Sequence, residues 1–121
     1  MPNAKDCVCT GKSLPRLLRP GVMAFLALGD AYGYQIAQHL SAMRIFSGRE
    51  PDSAGIYRAL KEMADEGLVT SSWQPGDVGP AKRVFALTEA GEDCLETWLS
   101  TLRDYRDSIN ELLALLRRLR Q

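Results

Sequence analysis

The chain has 121 residues, enough for one domain with its own hydrophobic core. Its 15 lysine and arginine residues balance 15 aspartate and glutamate residues, which excludes a polybasic chain that coats nucleic acid or membrane by charge alone. The longest apolar run, Val22 to Leu28, is too short to span a bilayer and no signal peptide is visible, so we expect a cytoplasmic protein without a membrane partner.

The N-terminal part of the sequence predicts an irregular arm followed by a helix. Residues 1–13 are polar and contain Cys7 and Cys9. An apolar-rich stretch follows, in which Pro20 occupies a position that suits the first turn of a helix. We therefore predict the first helix from about Pro20 to Leu28.

Two further helices are predicted after a turn at Gly29–Gly33, where two glycines and an aspartate break the apolar pattern. The second helix covers Tyr34–Arg44, and we interpret Tyr34 as a core aromatic residue at its start. The third begins at an N-cap, Asp52 or Ser53, and runs to about Glu66.

The third helix has two chemically distinct faces. Its apolar stripe is formed by Ile56, Ala59, Leu60 and Met63. Arg58 and Lys61 lie on the opposite face, with Tyr57 on the flank. Small residues near its N-terminus, Ser53 and Gly55 among them, permit close approach of the backbone to a partner.

Two strands and a loop follow the third helix. Gly67 ends that helix as a left-handed residue would. Leu68–Trp73 and Arg83–Leu87 have the composition of strands, and the Pro- and Gly-rich loop over residues 74–81 suits a flexible wing.

The last predicted helix is long and carries a regular apolar seam. Thr88 is its expected N-cap, and the helix can continue to about Arg120. Apolar residues recur at alternating intervals of three and four: Leu95, Trp98, Leu102, Tyr105, Ile109, Leu112, Leu116 and Leu119. Such a seam is typical of a helix that pairs with another helix, so we predict a homodimer.

The order of these elements predicts a fold class that is mainly α with a small β wing: a winged helix-turn-helix followed by a long C-terminal dimerisation helix. We divide the chain into an arm at 1–13, a DNA-binding domain at 14–88 and a dimerisation helix at 89–121. The candidate DNA-binding residues are Ser53, Gly55, Tyr57, Arg58, Lys61, Lys82 and Arg83. From pattern alone, these residues are equally compatible with a solvated face of a small α+β domain.

Three segments of the sequence resemble PadR-type transcriptional regulators. Residues 26–36 (LALGDAYGYQI) resemble the first two helices and their turn, and residues 56–69 resemble the recognition helix and its exit. Residues 79–91 (GPAKRVFALTEAG) resemble the wing strand and the start of the last helix. The likeness extends over roughly Leu14 to Leu119, but Phe85 replaces a tyrosine that is common at its position.

The resemblance implies a dimeric, sequence-specific regulator that binds double-stranded DNA and is usually a repressor relieved by a small effector. It implies that the Tyr57 hydroxyl reaches a phosphate. It also makes Trp98 a candidate effector-binding residue, because some members bind flat aromatic compounds at the dimer interface.

The three cysteines, Cys7, Cys9 and Cys94, have two interpretations. They are either independent thiols or a joint site for a soft metal or a redox switch. In the related fold the N-terminal segment lies against the last helix, so the arm could reach Cys94. No other cofactor is indicated.

Two other classes of function compete with a DNA-binding regulator. A protein-protein adaptor could use the same winged helix and long helix, but it would not need a basic patch on one side. An enzyme is disfavoured because the sequence has one histidine and no paired acid-base constellation.

Overall fold

The computed structural model describes residues 17–46, 52–76 and 78–120. These residues form a mainly helical fold with a small antiparallel sheet, which confirms the predicted fold class. In chain order the elements are α1 (Leu18–Leu28), β1 (Ala31–Tyr32), α2 (Gly33–Ala42), a 3-10 turn (Arg44–Phe46), α3 (Ser53–Asp65), β2 (Val69–Gln74), β3 (Lys82–Leu87) and α4 (Glu89–Leu119).

The sheet contains a strand that was not predicted from the sequence. Ala31 and Tyr32, interpreted as part of a turn, form β1 and pair antiparallel with Phe85 and Val84. The sheet order is β1-β3-β2, so β3 is its central strand. A strand of two residues is too short to show an alternation of apolar and polar residues, and its partner strand is remote in sequence. The flanking glycines therefore led to the prediction of a turn at this place.

The boundaries of α2 also differ from the prediction. The helix begins one residue earlier, at Gly33, and ends at Ala42 instead of Arg44. Met43 is extended, and the chain then makes the separate 3-10 turn that carries buried Phe46 into the core.

The core is formed where α1, α2 and α3 pack together and against the sheet. The predicted apolar stripe of α3 is confirmed, since all four of its members are buried. The largest fully buried side chains are Val22 and Met23 of α1, Ile36 and Leu40 of α2, and Ile56, Leu60 and Met63 of α3. Val69 and Phe85 extend this core onto the sheet.

Local signals at helix ends behave as the sequence predicts. The Asp52 carboxylate accepts a hydrogen bond from the Gly55 N–H at 2.7 Å, so Asp52, not Ser53, caps α3. Gly67 follows the end of α3 with φ of +78°, in the left-handed region.

The first turn of α4 is fixed against the start of β2. The Thr88 hydroxyl accepts from the Gly91 N–H at 3.0 Å and donates to the Gly67 carbonyl at 2.6 Å. The Thr88 N–H donates to the Leu68 carbonyl at 3.1 Å. Gly91 is buried, and a Cβ there would collide with the Leu68 carbonyl oxygen.

Only the first part of α4 packs on its own domain. Cys94, Leu95 and Trp98 are half-buried against the core, and α4 contacts α1 and β3. From Arg103 to the end of the helix every described residue is exposed. Within the described ranges, no helix has both the length and the apolarity needed to cross a membrane.

Gly91→Ala tests the contact between α4 and β2. Because the colliding atom belongs to the backbone, we expect a net loss of about 1–2 kcal/mol in the free energy of unfolding, measured by urea denaturation. The matched control is Gly29→Ala: Gly29 has φ of 161°, and an added Cβ would meet no atom within 4 Å, so its effect should stay within about 0.5 kcal/mol. Equal stability of the two variants would contradict the proposed close contact.

Candidate nucleic-acid interface

The predicted DNA-binding residues of the third helix lie on the outer side of α3. Ser53 begins the helix, and Tyr57, Arg58 and Lys61 are exposed, while Gly55 is half-buried. The apolar stripe of α3 is buried in the core, which leaves the basic residues facing away from it. The amphipathic character of α3 therefore determines which side of the domain carries these side chains.

The other two predicted DNA-binding residues, Lys82 and Arg83, are exposed on β3. The Arg83 Nε donates to the Ser71 hydroxyl at 3.0 Å, and its guanidinium carbon lies 5.2 Å from the centre of the Phe85 ring. The Lys82 Nζ lies 5.3 Å from the centre of the Tyr32 ring. Contacts with strands β1 and β2 thus orient both cations.

A groove joins the two basic elements. It is lined by Lys61 of α3 and Arg83 of β3, with Tyr57 and Phe85 between them and Asp65 at one side. The rings of Tyr57 and Phe85 meet edge to face with their centres 6.2 Å apart. The structure therefore brings Tyr57, Lys61 and Arg83 together at this groove, whereas Ser53, Gly55, Arg58 and Lys82 do not line it.

Two acidic residues at the end of α3 form ion pairs with α1. Glu62 and Glu66 bind Arg19 of α1, with N–O distances of 3.5 and 2.6 Å. The hydrogen bond from Arg19 to Glu66 raises the pKa of Arg19, so this guanidinium stays charged. Among the residues that the structure describes, Arg58, Lys61, Lys82 and Arg83 make no ion pair.

A second cavity, of about 500 Å³, lies beside this groove and contains residues that were not predicted from the sequence. Tyr32, Tyr34 and Trp73 line it together with Tyr57, Lys82 and Arg83. The interpretation of Tyr34 as a core residue is wrong, because its side chain is 70% exposed. Helical spacing could have shown this, since Tyr34 lies far from the stripe that contains Ile36 and Leu40.

Gly33 allows Tyr57 to lie across the start of α2. A Cβ at Gly33 would collide with the Tyr57 hydroxyl and would lie 2.6 Å from its Cζ atom. A side chain at position 33 would therefore have to displace the phenol ring, which packs against the start of α2.

The seam on α4 divides into two parts. Leu95 and Trp98 contact the core of their own protomer, and Leu102 is half-buried. The remaining apolar residues each expose about half or more of their surface: Tyr105, Ile109, Leu112, Leu116 and Leu119. This exposed part has no partner within the described chain.

The cysteine hypothesis stays a prediction. Cys94 is a half-buried free thiol beside the core, whereas Cys7 and Cys9 lie outside the described residues. No group of three potential metal ligands occurs in ranges 17–46, 52–76 and 78–120.

Three helices, with Arg58 and Lys61 on the exposed side of α3, and a two-stranded wing define a winged helix-turn-helix. The sequence profile of the Transcriptional regulator PadR-like family matches residues 22–97. The chain belongs to this family. No curated protein matches the chain.

Solved structures agree with this assignment. A PadR family transcription regulator from Clostridium difficile is 25% identical, with a TM-score of 0.67 over 80% of this chain and 98% of that one. Bacillus subtilis PadR in complex with operator DNA is 26% identical, with a TM-score of 0.62 over 69% of this chain and 47% of that one. A PadR-like regulator from Bacillus cereus, 21% identical, shares the fold with a TM-score of 0.71 over 83% of this chain and 94% of that one.

Gly33→Ala tests the contact with Tyr57. The added methyl group must displace the phenol ring, which is half-exposed and can move, so we expect a loss of about 1 kcal/mol in the free energy of unfolding. In a Tyr57→Ala background the same substitution should cost much less, because the colliding ring is gone. A cost that is equal in both backgrounds would show that the two residues are not coupled.

Proposed function

We propose that this protein is a sequence-specific transcriptional regulator that binds double-stranded DNA as a homodimer and acts as a repressor. The observation that carries the proposal is the groove between α3 and β3, which is flanked by cations that form no ion pair within the described residues. An adaptor that binds proteins through α4 would not need this arrangement.

The geometry of α3 suits insertion into the major groove. That groove is about 12 Å wide and admits one helix. Ser53 and Gly55 are small and lie at the N-terminal end of α3, where they allow the helix to approach the bases closely. Arg58 and Lys61 follow on the exposed side and can contact base edges or phosphates.

Lys82 and Arg83 provide a second contact with the same duplex. They lie at the base of the wing, on the side of the domain that carries the outer face of α3. Cations at this place can neutralise phosphates of the strand that passes beside the major groove, and such contacts fix the orientation of a protein on DNA.

The exposed part of the α4 seam supports the homodimer. A second copy of α4 would cover Tyr105, Ile109, Leu112 and Leu116 together, and an apolar stripe of this regularity fits another helix.

Control by a small effector is the remaining part of the proposal. Trp98 lies where α4 leaves the core of its own domain and the exposed seam begins. A ligand beside Trp98 would touch both the domain and the dimer contact, so it could change the spacing of the two α3 helices. DNA requires half-sites about 34 Å apart, so a change in spacing would weaken binding.

Salt dependence tests DNA binding. We expect the wild-type protein to bind duplex DNA with a log–log salt slope of about −0.9 per neutralised phosphate. Arg58→Ala and Lys82→Ala should weaken binding, and Lys82→Ala should do so for all sequences about equally. Arg103→Ala, an exposed arginine of α4 away from the groove, is the control and should bind like wild type. Absence of duplex binding by the wild type at low salt would refute the proposal.

Ile109→Asp tests the homodimer. Ile109 is more than half exposed in the protomer, so the substitution leaves the domain core intact, but it places an unpaired carboxylate in the proposed contact between helices. We expect dissociation into monomers in sedimentation-velocity measurements at micromolar concentration. Asn110→Asp introduces the same charge at the neighbouring exposed position and should stay dimeric. A monomeric wild-type protein would rule out the dimer.

A further inference from the structure

Four aromatic side chains, of which three are exposed and Tyr32 is half-buried, line one cavity together with two cations, and we call this surface the aromatic groove. It consists of Tyr32, Tyr34, Tyr57 and Trp73, bordered by Lys82 and Arg83. Three of the four tyrosines of the chain therefore lie at one place. Among the residues that the structure describes, those lining this cavity include no acidic side chain.

The exposure of these rings is not explained by the packing of the domain. Tyr34 is 70% exposed and Trp73 is 68% exposed, whereas the core is closed without them. A cluster of exposed aromatic rings of this size is typical of a binding surface. The rings are thus available to a partner that meets the outer side of the domain.

Contacts within the domain fix the positions of side chains in the aromatic groove. The Tyr34 hydroxyl accepts a hydrogen bond from the Gln38 Nε2 at 2.9 Å, which leaves its own proton to be donated outward. Trp73 lies directly across from Arg83 in the β2–β3 pair, and both residues line the groove. Lys82 lies near the Tyr32 ring at the other border.

We propose that the aromatic groove holds the sugar–phosphate backbone of one DNA strand. Trp73 packs on a deoxyribose face and the Tyr34 hydroxyl donates to a phosphate oxygen, in addition to the phosphate contact that the family resemblance implies for Tyr57. Lys82 and Arg83 neutralise the phosphates on either side. This inference rests on the proposed function, and it adds a contact that is apolar and independent of base sequence.

The contact between Trp73 and a sugar should depend on salt differently from the contacts of Lys82 and Arg83 with phosphates. Neutralising a phosphate releases counterions, so it steepens the salt dependence of binding. Packing of an indole on a sugar releases none. Loss of Trp73 should therefore weaken binding at every salt concentration without changing the slope.

The experiment measures the affinity of the full chain for a mixed-sequence DNA duplex across a salt series, by fluorescence anisotropy of the labelled DNA. Trp73→Ala should bind about tenfold more weakly with the slope of wild type. Lys82→Ala should reduce the slope by about 0.9. Trp73→Phe, which keeps an aromatic ring, should retain most of the affinity.

Intrinsic fluorescence gives an independent measurement on the same proteins. Addition of duplex should change the tryptophan emission of wild type, and this change should be lost in Trp73→Phe while DNA still binds. Tyr34→Ala is a second variant, for which we expect weaker binding with an unchanged slope. Thermal denaturation of each variant confirms that it is folded.

The outcomes distinguish this inference from the proposed function. If wild type binds no duplex at low salt, both fail. If wild type binds but Trp73→Ala and Tyr34→Ala bind equally well, only the aromatic groove is refuted. A slope that falls in Trp73→Ala as it does in Lys82→Ala, or a preference of wild type for single-stranded DNA, also overturns it.

Discussion

The outer surface of this domain depends on the pairing of two residues, Ala31 and Tyr32, with the central strand β3. This short contact ties the connection between α1 and α2 to the wing. It brings the Tyr32 ring beside Lys82 and sets Gly33, the first residue of α2, next to Tyr57. Without it, α2 and the wing would be linked only through the core, and neither the aromatic groove nor the orientation of Lys82 would be defined.

The distribution of charge explains how a chain with no net charge can present a basic surface. Glu62 and Glu66 lie on or just after α3, close in sequence to Lys61, and would weaken its field if they faced the same groove. Arg19 of α1 binds both of them on another side of the helix. The balance of charges in the whole chain therefore says little about the local potential, which depends on which side of each helix carries each sign.

The sequence contains enough local information to predict most elements of the fold. The cap at Thr88, the left-handed Gly67 and the stripe of α3 are properties of a few neighbouring residues and were predicted correctly, and the cap of α3 is Asp52, one of its two candidates. Strand β1 could not be predicted in this way, because its stability comes from Phe85 and Val84, more than fifty positions away. The aromatic groove was missed for the same reason: Tyr34 and Trp73 become neighbours only when β1, β2 and β3 have assembled.

The long helix shows a further limit of periodicity. Its seam is uninterrupted from Leu95 to Leu119, but the two ends have different surroundings. Leu95 and Trp98 contact their own domain, whereas the residues from Tyr105 onward are exposed. A repeat of three and four residues identifies an apolar face but not the surface that covers it.

This division of α4 also has a mechanical consequence in the proposed dimer. Thr88 and Gly91 hold the first turn of the helix against the start of β2, so α4 and the wing should move as one body. A rotation at the exposed end of the helix would then be transmitted to α3 and β3 without bending the domain. In the proposed regulation, an effector beside Trp98 would act on that rotation where the part of the helix that packs on its own domain ends and the exposed part begins.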